Sequence, residues 1–279
     1  MAIRMFIRLP DTWELISMNN RIEEKFKELK MTNKKALITF ITAGDPDLET
    51  SYQLVLEMFE QGADLVEIGI PFSDPVAEGP TIEKASMRAL ASGTTTDSVF
   101  ELVKRLRTKT EKPLLLMLYI NLVYKYGVEE FITKCQTTGV DGLIIPDLPY
   151  EEIQEVKAYA EAKNIYLINL IAPTTNEERL AKIVEGSKGF IYCVSSLGVT
   201  GVRSEITTDL ENFYARIRKN TILPLALGFG LSTKEQLKSI KGNWEAFIVG
   251  SKIVEVVAAY GKDSVEEVGK LVKNLKELE

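Results

Sequence analysis

Short apolar segments alternate with amphipathic segments along most of this chain. Eight of the apolar segments are rich in Val, Ile, Leu and Phe, and most are bounded by Gly, Pro or Asp, as buried strands are. In the segments between them, apolar residues recur every three or four positions, which is the period of a helix with one buried face. The predicted strands span residues 36–43, 65–70, 113–119, 141–147, 165–171, 189–195, 224–227 and 245–249.

The amphipathic segments predict a helix after every strand and one helix before the first strand. These helices span residues 21–30, 48–61, 82–91, 96–108, 128–138, 150–163, 177–185, 209–219, 233–240, 252–260 and 264–278. Eight strand–helix repeats predict an α/β fold of the (β/α)8 TIM-barrel type, with an extra N-terminal helix. An open doubly wound sheet is the alternative, and it is less favoured because no GxGxxG motif follows the first strand.

The first residues of the chain do not take part in this alternation. Residues 1–17 show no clear period, and Met18 is a possible alternative start. We interpret residues 1–18 as an N-terminal extension and residues 19–279 as a single TIM-barrel domain.

Composition and charge narrow the class of protein. The net charge is −6, which argues against nucleic acid or an anionic membrane as the main partner. No run of about 18 apolar residues exists, so no membrane span is predicted, and the N-terminus lacks the apolar core of a signal peptide. Cys135 and Cys193 are far apart in apolar contexts, which predicts buried free thiols and a cytoplasmic location.

The chain contains no histidine. This absence excludes a Ser-His-Asp triad, His-ligated metals and imidazole acid–base chemistry. With only two separated cysteines, no metal site is predicted. Any proton transfer in an active site is therefore expected from a carboxylate, a tyrosine or a lysine.

One carboxylate lies in the middle of the second predicted strand. Glu67 is flanked by apolar residues there, and a buried carboxylate is costly unless it is paired or used in chemistry. An acidic loop with Asp74 and Glu78 follows this strand. Glu67 is either a salt-bridged core residue beside a solvated loop or part of a site, and the acidic loop favours a site.

Glycines follow the last three predicted strands, in the motifs GVTG (198–201), GFG (228–230) and GS (250–251). In a TIM barrel, the loops after strands seven and eight often bind phosphate through backbone N–H groups and the N-terminus of a helix. At any single position, the alternative to a phosphate-binding role is an ordinary glycine in a turn. Together the motifs predict a phosphate site at Gly201, Phe229, Gly230, Gly250 and Ser251.

Aromatic and aliphatic residues near the strand ends predict an apolar pocket. Phe40, Tyr119, Leu170 and Phe229 come from alternate strands and could line a site for a flat ring. Tyr192, within the sixth strand, either fills the barrel or assists a proton transfer in the cavity of Glu67. Lys and Arg are absent from this lining, which argues against a Schiff-base lysine.

Six motifs in this order resemble the tryptophan synthase α subunit. They are ITAGDPD (41–47), VEIGIPFSDPVAEGPT (66–81), DGLIIPDLP (141–149), FIYCVSSLGVTGVR (190–203), LGFG (227–230) and IVGS (248–251). The resemblance covers about residues 19–279. It implies a TIM barrel that cleaves indole-3-glycerol phosphate to indole and glyceraldehyde 3-phosphate without a cofactor of its own. It also implies an α2β2 assembly with a β subunit that carries pyridoxal phosphate and receives the indole.

The resemblance also assigns roles to single residues. Glu67 matches the catalytic glutamate of the family and Tyr192 matches an active-site tyrosine. The residues that match its phosphate binders are Gly201, Gly230, Gly250 and Ser251. The implied retro-aldol cleavage needs a proton on indole C3 and the removal of one from the neighbouring hydroxyl group. One buried carboxylate with a raised pKa could perform both transfers.

One position departs from the family pattern. Glu78 stands where the family usually has Asp, at the carboxylate that steadies the indole N–H, so that role is either kept with shifted geometry or weakened. We predict that Glu78 and Thr200 form a latch between two loops. A β partner is predicted to dock near Asp74, Asn121 and Asp147.

Three alternatives to an α-subunit lyase remain. The chain could be a stand-alone lyase with the same chemistry, or a partner-binding subunit whose catalysis is impaired by Glu78. A phosphosugar epimerase or isomerase barrel is disfavoured because no histidine is present to hold a metal.

Overall fold

The computed structural model describes residues 20–194, 209–228 and 230–277. The strands in these residues are β1 (Ala36–Thr42), β2 (Leu65–Gly69), β3 (Leu114–Met117), β4 (Gly142–Ile144), β5 (Tyr166–Leu167), β6 (Leu170–Ile171), β7 (Ile191–Val194), β8 (Leu225–Gly228) and β9 (Ala246–Val249). The helices are α1 (Arg21–Met31), α2 (Leu48–Glu60), α3 (Pro80–Ala91), α4 (Thr96–Arg107), α5 (Ile120–Tyr126), α6 (Val128–Thr138), α7 (Gln154–Ala162), α8 (Glu177–Glu185), α9 (Leu210–Arg218), α10 (Lys234–Ser239), α11 (Ser251–Tyr260) and α12 (Ser264–Lys276).

The strands form one parallel sheet that closes on itself. Its order is β5-β4-β3-β2-β1-β9-β8-β7-β6, and the strands at the two ends are halves of one segment, residues 166–171. The first half pairs with β4 and the second half with β7. Between the halves, Ile168 N–H donates to Leu143 O at 2.9 Å, and Tyr192 N–H donates to Asn169 O at 3.0 Å. The predicted TIM barrel is therefore confirmed, with its fifth strand divided into two short pieces.

Alternation along the strands separates two apolar layers. Leu37 and Ile41 of β1 pack in the layer between the sheet and the outer helices, whereas Ile38 and Phe40 pack inside the barrel. This is the pattern expected of a strand whose successive side chains point to opposite faces. A side chain placed on the inner face of a strand therefore points toward the barrel axis.

Helix α1 closes the N-terminal end of the barrel. Asn20 caps it by accepting from Ile22 N–H at 2.9 Å, and its amide donates to the carbonyls of Asp141 and Asn164 at 2.8 and 2.9 Å. The buried residues of α1 are Ile22, Phe26 and Leu29, as the sequence predicts, and they pack with the barrel interior. Because one end is filled, the opposite end, where the strands terminate, is the place for a site.

Several predicted bounds need correction. Helix α5 was not predicted, and the third strand was predicted to run to Tyr119 although it ends at Met117. Helix α5 has only seven residues and no side-chain cap, so it carries too little periodicity to recognise. The segment predicted as one helix at 150–163 begins with the 3-10 turn Tyr150–Glu152 before α7.

The remaining predictions concern the two cysteines, membrane spans and the N-terminal extension. Cys135 and Cys193 are buried free thiols, as predicted. None of the described helices combines the length and the apolar composition that a bilayer crossing needs. The proposed extension, residues 1–18, lies outside the described residues, and the division into domains stays a prediction.

Candidate active site

Glu67 points into the barrel from the middle of β2. It lies in register with Phe40 of β1 and Leu115 of β3, and both of these belong to the interior layer. Its side chain is buried, at 1% exposure, and its Oε1 accepts no hydrogen bond within the described part of the chain. A buried carboxyl oxygen without a partner is unfavourable, so its presence inside the barrel points to a use in chemistry.

The surroundings of Glu67 favour its neutral form. Burial, and then the negative charge of Glu78, raise the pKa of the Glu67 carboxyl group to about 8. Near neutral pH the group therefore holds a proton and can still lose it. A carboxyl group with a pKa near the working pH is suited to both donating and accepting a proton.

The loop between β2 and α3 brings a second carboxylate to the same cavity. Glu78 is half-buried on this loop, two residues before α3 begins at Pro80. A local turn supports it, because Glu78 N–H donates to Pro75 O at 3.0 Å. Both acidic residues, Glu67 and Glu78, line one cavity at the C-terminal end of the barrel.

Tyr192 of β7 also lines this cavity. Burial, and then the charges of Glu67 and Glu78, raise the pKa of its phenol well above the ordinary value, so the hydroxyl group keeps its proton. Gly228 on the adjacent strand makes room for the ring, because a Cβ at that position would lie 2.7 Å from Tyr192 Cε1. The structure therefore brings Glu67, Glu78 and Tyr192 together in one cavity.

The rest of the cavity has an apolar wall and a glycine-rich wall. Phe40 lines it as predicted, and Gly230, Gly250 and Ser251 line it on the side where α11 begins. Gly230 has φ +78°, in the left-handed region that favours glycine. No side chain among the described residues caps α11, whose first turn therefore presents backbone donors and the positive end of the helix dipole.

Other predicted site residues lie beside this cavity rather than in it. Tyr119 lines an adjoining cavity, which Phe40 and Glu78 share. Leu170 packs against the barrel interior but lines a third cavity with Asp147, so its place in the indole pocket stays a prediction. The remaining predicted residues, Thr200, Gly201 and Phe229, lie outside the described residues.

The predicted partner-binding residues follow three neighbouring strands. Asp74 is exposed on the loop after β2, and Asn121 is exposed in α5 after β3. Asp147 follows β4, and its carboxylate accepts from Ile120 N–H at 3.0 Å. All three lie on segments that follow the carboxyl ends of adjacent strands, the same edge that carries the cavity.

Several residues that line the cavity were not predicted from the sequence. Ile82, Met117, Leu231 and Ile248 complete the apolar wall of the cavity. The alternation along β3 and β9 could have found Met117 and Ile248, because each lies on the interior face of its strand. Within the described residues, no group of three or more Cys, Asp or Glu side chains is placed to hold a metal ion.

Comparison with known proteins agrees with this architecture. The family model described as tryptophan synthase alpha chain matches residues 26–279. The tryptophan synthase alpha chain of Alkaliphilus metalliredigens is 48% identical over 262 residues, which are 93% of this chain and 98% of that one. The tryptophan synthase alpha chain of Caldanaerobacter subterraneus subsp. tengcongensis is 49% identical over 261 residues, 93% of this chain and 99% of that one.

Solved structures give the same result. The crystal structure of tryptophan synthase subunit alpha from Legionella pneumophila matches with a TM-score of 0.84 and 34% identity, over 93% of this chain and 98% of that one. A structure of the α2β2 complex of Pyrococcus furiosus tryptophan synthase matches with a TM-score of 0.78 and 34% identity, over 86% of this chain and 97% of the matched chain. The chain therefore belongs to the tryptophan synthase alpha chain family, whose members are carbon–carbon lyases of tryptophan biosynthesis that cleave indole-3-glycerol phosphate.

Proposed function

We propose that Glu67 is the acid and the base in the cleavage of indole-3-glycerol phosphate to indole and glyceraldehyde 3-phosphate. The observation that carries this proposal is the burial of its carboxyl group, with a pKa raised to about 8. The protonated carboxyl group donates its proton to indole C3. The resulting carboxylate takes the proton of the neighbouring side-chain hydroxyl while the carbon–carbon bond breaks. The bond electrons return to the indole ring, the hydroxyl carbon becomes the aldehyde, and Glu67 is protonated again.

We propose supporting roles for the two other polar groups of the cavity. The negative charge of Glu78 stabilises the positive charge that develops on the ring nitrogen when C3 is protonated. Both carboxyl groups line the same cavity, and the charge of Glu78 raises the pKa of Glu67, which supports this role. The neutral phenol of Tyr192 orients the substrate or the proton of Glu67. The apolar wall with Phe40 and Met117 holds the indole ring.

The substrate phosphate is proposed to bind at Gly230, Gly250 and Ser251, with Gly201 and Phe229 as further predicted members. The cavity wall at the start of α11 supports this placement, because helix N-termini attract anions. Leu170 and Thr200 keep their predicted roles in the indole pocket and in a latch with Glu78.

Replacing Gly250 with Asp should raise KM for indole-3-glycerol phosphate at least about tenfold, because a carboxylate would stand where the phosphate binds. The matched control is Gly250→Ala, which adds a Cβ 3.3 Å from Phe40 Cβ and no charge. We expect a much smaller rise in KM for the alanine variant. Steady-state kinetics over a range of substrate concentrations measure both values. Equal KM values for Gly250→Asp and the unchanged protein would show that the phosphate binds elsewhere.

The partner is proposed to be a tryptophan synthase β subunit in an α2β2 assembly, docked near Asp74, Asn121 and Asp147. The α2β2 complex among the similar structures supports this proposal. The β subunit would carry pyridoxal phosphate, this chain would need no cofactor of its own, and the assembly would act in the cytoplasm.

An assay of indole-3-glycerol phosphate cleavage with and without a β subunit tests the whole proposal. We expect slow cleavage by the chain alone and faster cleavage in the complex. Turnover that a β subunit leaves unchanged would favour a stand-alone lyase. Formation of the complex without cleavage would indicate a partner-binding subunit with impaired catalysis.

A further inference from the structure

Tyr119 makes two contacts with the loop that carries Glu78. Its hydroxyl oxygen accepts a hydrogen bond from Ala77 N–H at 2.9 Å. Its ring stacks on Phe72, with 5.2 Å between the ring centroids and 24° between the ring planes. Ala77 directly precedes Glu78, so one of these contacts is a single residue away from the proposed catalytic carboxylate.

Tyr119 is itself held firmly. Its side chain is buried, at 5% exposure, between the end of β3 and the start of α5. On one side Leu118 N–H donates to Ile144 O at 3.1 Å, and on the other Ile120 N–H donates to Asp147 Oδ1 at 3.0 Å. A buried ring whose flanking backbone is bonded to β4 and to the loop that follows it can fix the position of a neighbouring loop.

We propose that Tyr119 is a positioning residue that holds Ala77 and Phe72 and thereby sets the place of the Glu78 carboxylate relative to Glu67. This inference rests on the proposed function of Glu78. The loop spans ten residues, 70–79, between β2 and α3, and Asp74 and Val76 on it are exposed. The contacts of Tyr119 tie this loop to the barrel close to its catalytic end. A loop displaced by about 1 Å would weaken an electrostatic effect that depends on geometry.

Tyr119→Phe removes the hydroxyl group and keeps the ring that stacks on Phe72. We expect kcat for indole-3-glycerol phosphate cleavage to fall about fivefold, the size expected from losing one hydrogen bond. KM should change less than about twofold. The matched control is Tyr126→Phe, which removes a hydroxyl group that donates to Asp97 Oδ1 at 2.7 Å on the surface, and it should keep full kcat.

The same substitution in a Glu78→Gln background tests whether Tyr119 acts through Glu78. In that background, Tyr119→Phe should lower kcat little further. An equal fold-change in both backgrounds, or a rise in KM with unchanged kcat, would show that Tyr119 acts on the substrate directly and would overturn the inference. If Tyr119→Phe is poorly folded by thermal melting, Phe72→Leu removes the other contact, and full kcat in that variant would also count against the inference.

Glu78→Gln alone separates this inference from the proposed function. Full kcat in Glu78→Gln would overturn the role proposed for Glu78, and with it the positioning role of Tyr119. A loss of kcat in Glu78→Gln together with full kcat in Tyr119→Phe would overturn only the role of Tyr119.

Discussion

Glu67→Gln should lower kcat for indole-3-glycerol phosphate cleavage by about 10²–10⁴, the usual contribution of a general acid or base. Gln has nearly the same shape but cannot transfer the proton. The matched control is Glu83→Gln, the same change at an exposed position of α3. Steady-state kinetics of both variants provide the measurement. If Glu67→Gln kept more than about a tenth of the activity, another group would have to move the protons.

The same substitution has a consequence for pH dependence. The folded protein holds the proton of Glu67 up to a pKa of about 8, whereas the unfolded chain releases it near 4.5. Stability contributed by this group is therefore fully present below pH 4.5 and declines as pH rises toward 8. Glu67→Gln should remove this decline. Urea unfolding at several pH values tests this, and activity of the unchanged protein should fall above about pH 8.

Asp141→Ala should destabilise the protein by about 3–5 kcal/mol, the range found when one member of a buried ion pair is removed. The Asp141 side chain is 4% exposed and pairs with Arg107, whose side chain is 10% exposed. It also accepts from Arg21 Nη1 at 3.0 Å and from Leu114 N–H at 2.8 Å. Burial raises the pKa of the Asp141 carboxyl group, and the charge of Arg107 opposes that rise. Without Asp141, the Arg107 guanidinium would remain buried without its carboxylate.

The control for this prediction is Glu111→Ala. Glu111 also accepts from Arg21, at 2.8 Å, but its side chain is 80% exposed. Its removal should change the free energy of unfolding by no more than about 0.5 kcal/mol, as is usual for exposed pairs. Urea unfolding gives both values. If the two variants were equally stable, the buried ion pair of Arg107 and Asp141 would not stabilise the contact between α4 and the start of β4.

The secondary structure was largely predictable because each element has its own local pattern. Helices α6 and α8 have the predicted bounds, and the buried face of α1 is the predicted one. Helix α5 was missed because seven residues contain too few turns to establish a period. The division of the fifth strand into β5 and β6 was also missed. It depends on which neighbouring strand each half pairs with, and no local pattern records that choice.

The candidate site was predictable where one residue conflicts with its local pattern. A carboxylate inside an apolar strand identified Glu67, and glycines after the late strands identified Gly230 and Gly250. The hydrogen bond between Tyr119 and Ala77 had no such signal, because it joins residues 42 positions apart in the chain. From the sequence, Tyr119 was therefore predicted only to line the wall of a pocket.

The sequence by itself determined the alternation of strands and helices, favoured a closed α/β barrel over an open sheet, and limited the acid–base chemistry to groups other than histidine. These properties follow from the order of apolar and polar residues along the chain and from the absence of histidine. Only the tertiary structure decided the pKa of Glu67, the partners of Asp141 and the support of the loop that carries Glu78. Each of these depends on burial and on distances between residues far apart in the chain, and both exist only once the barrel has closed.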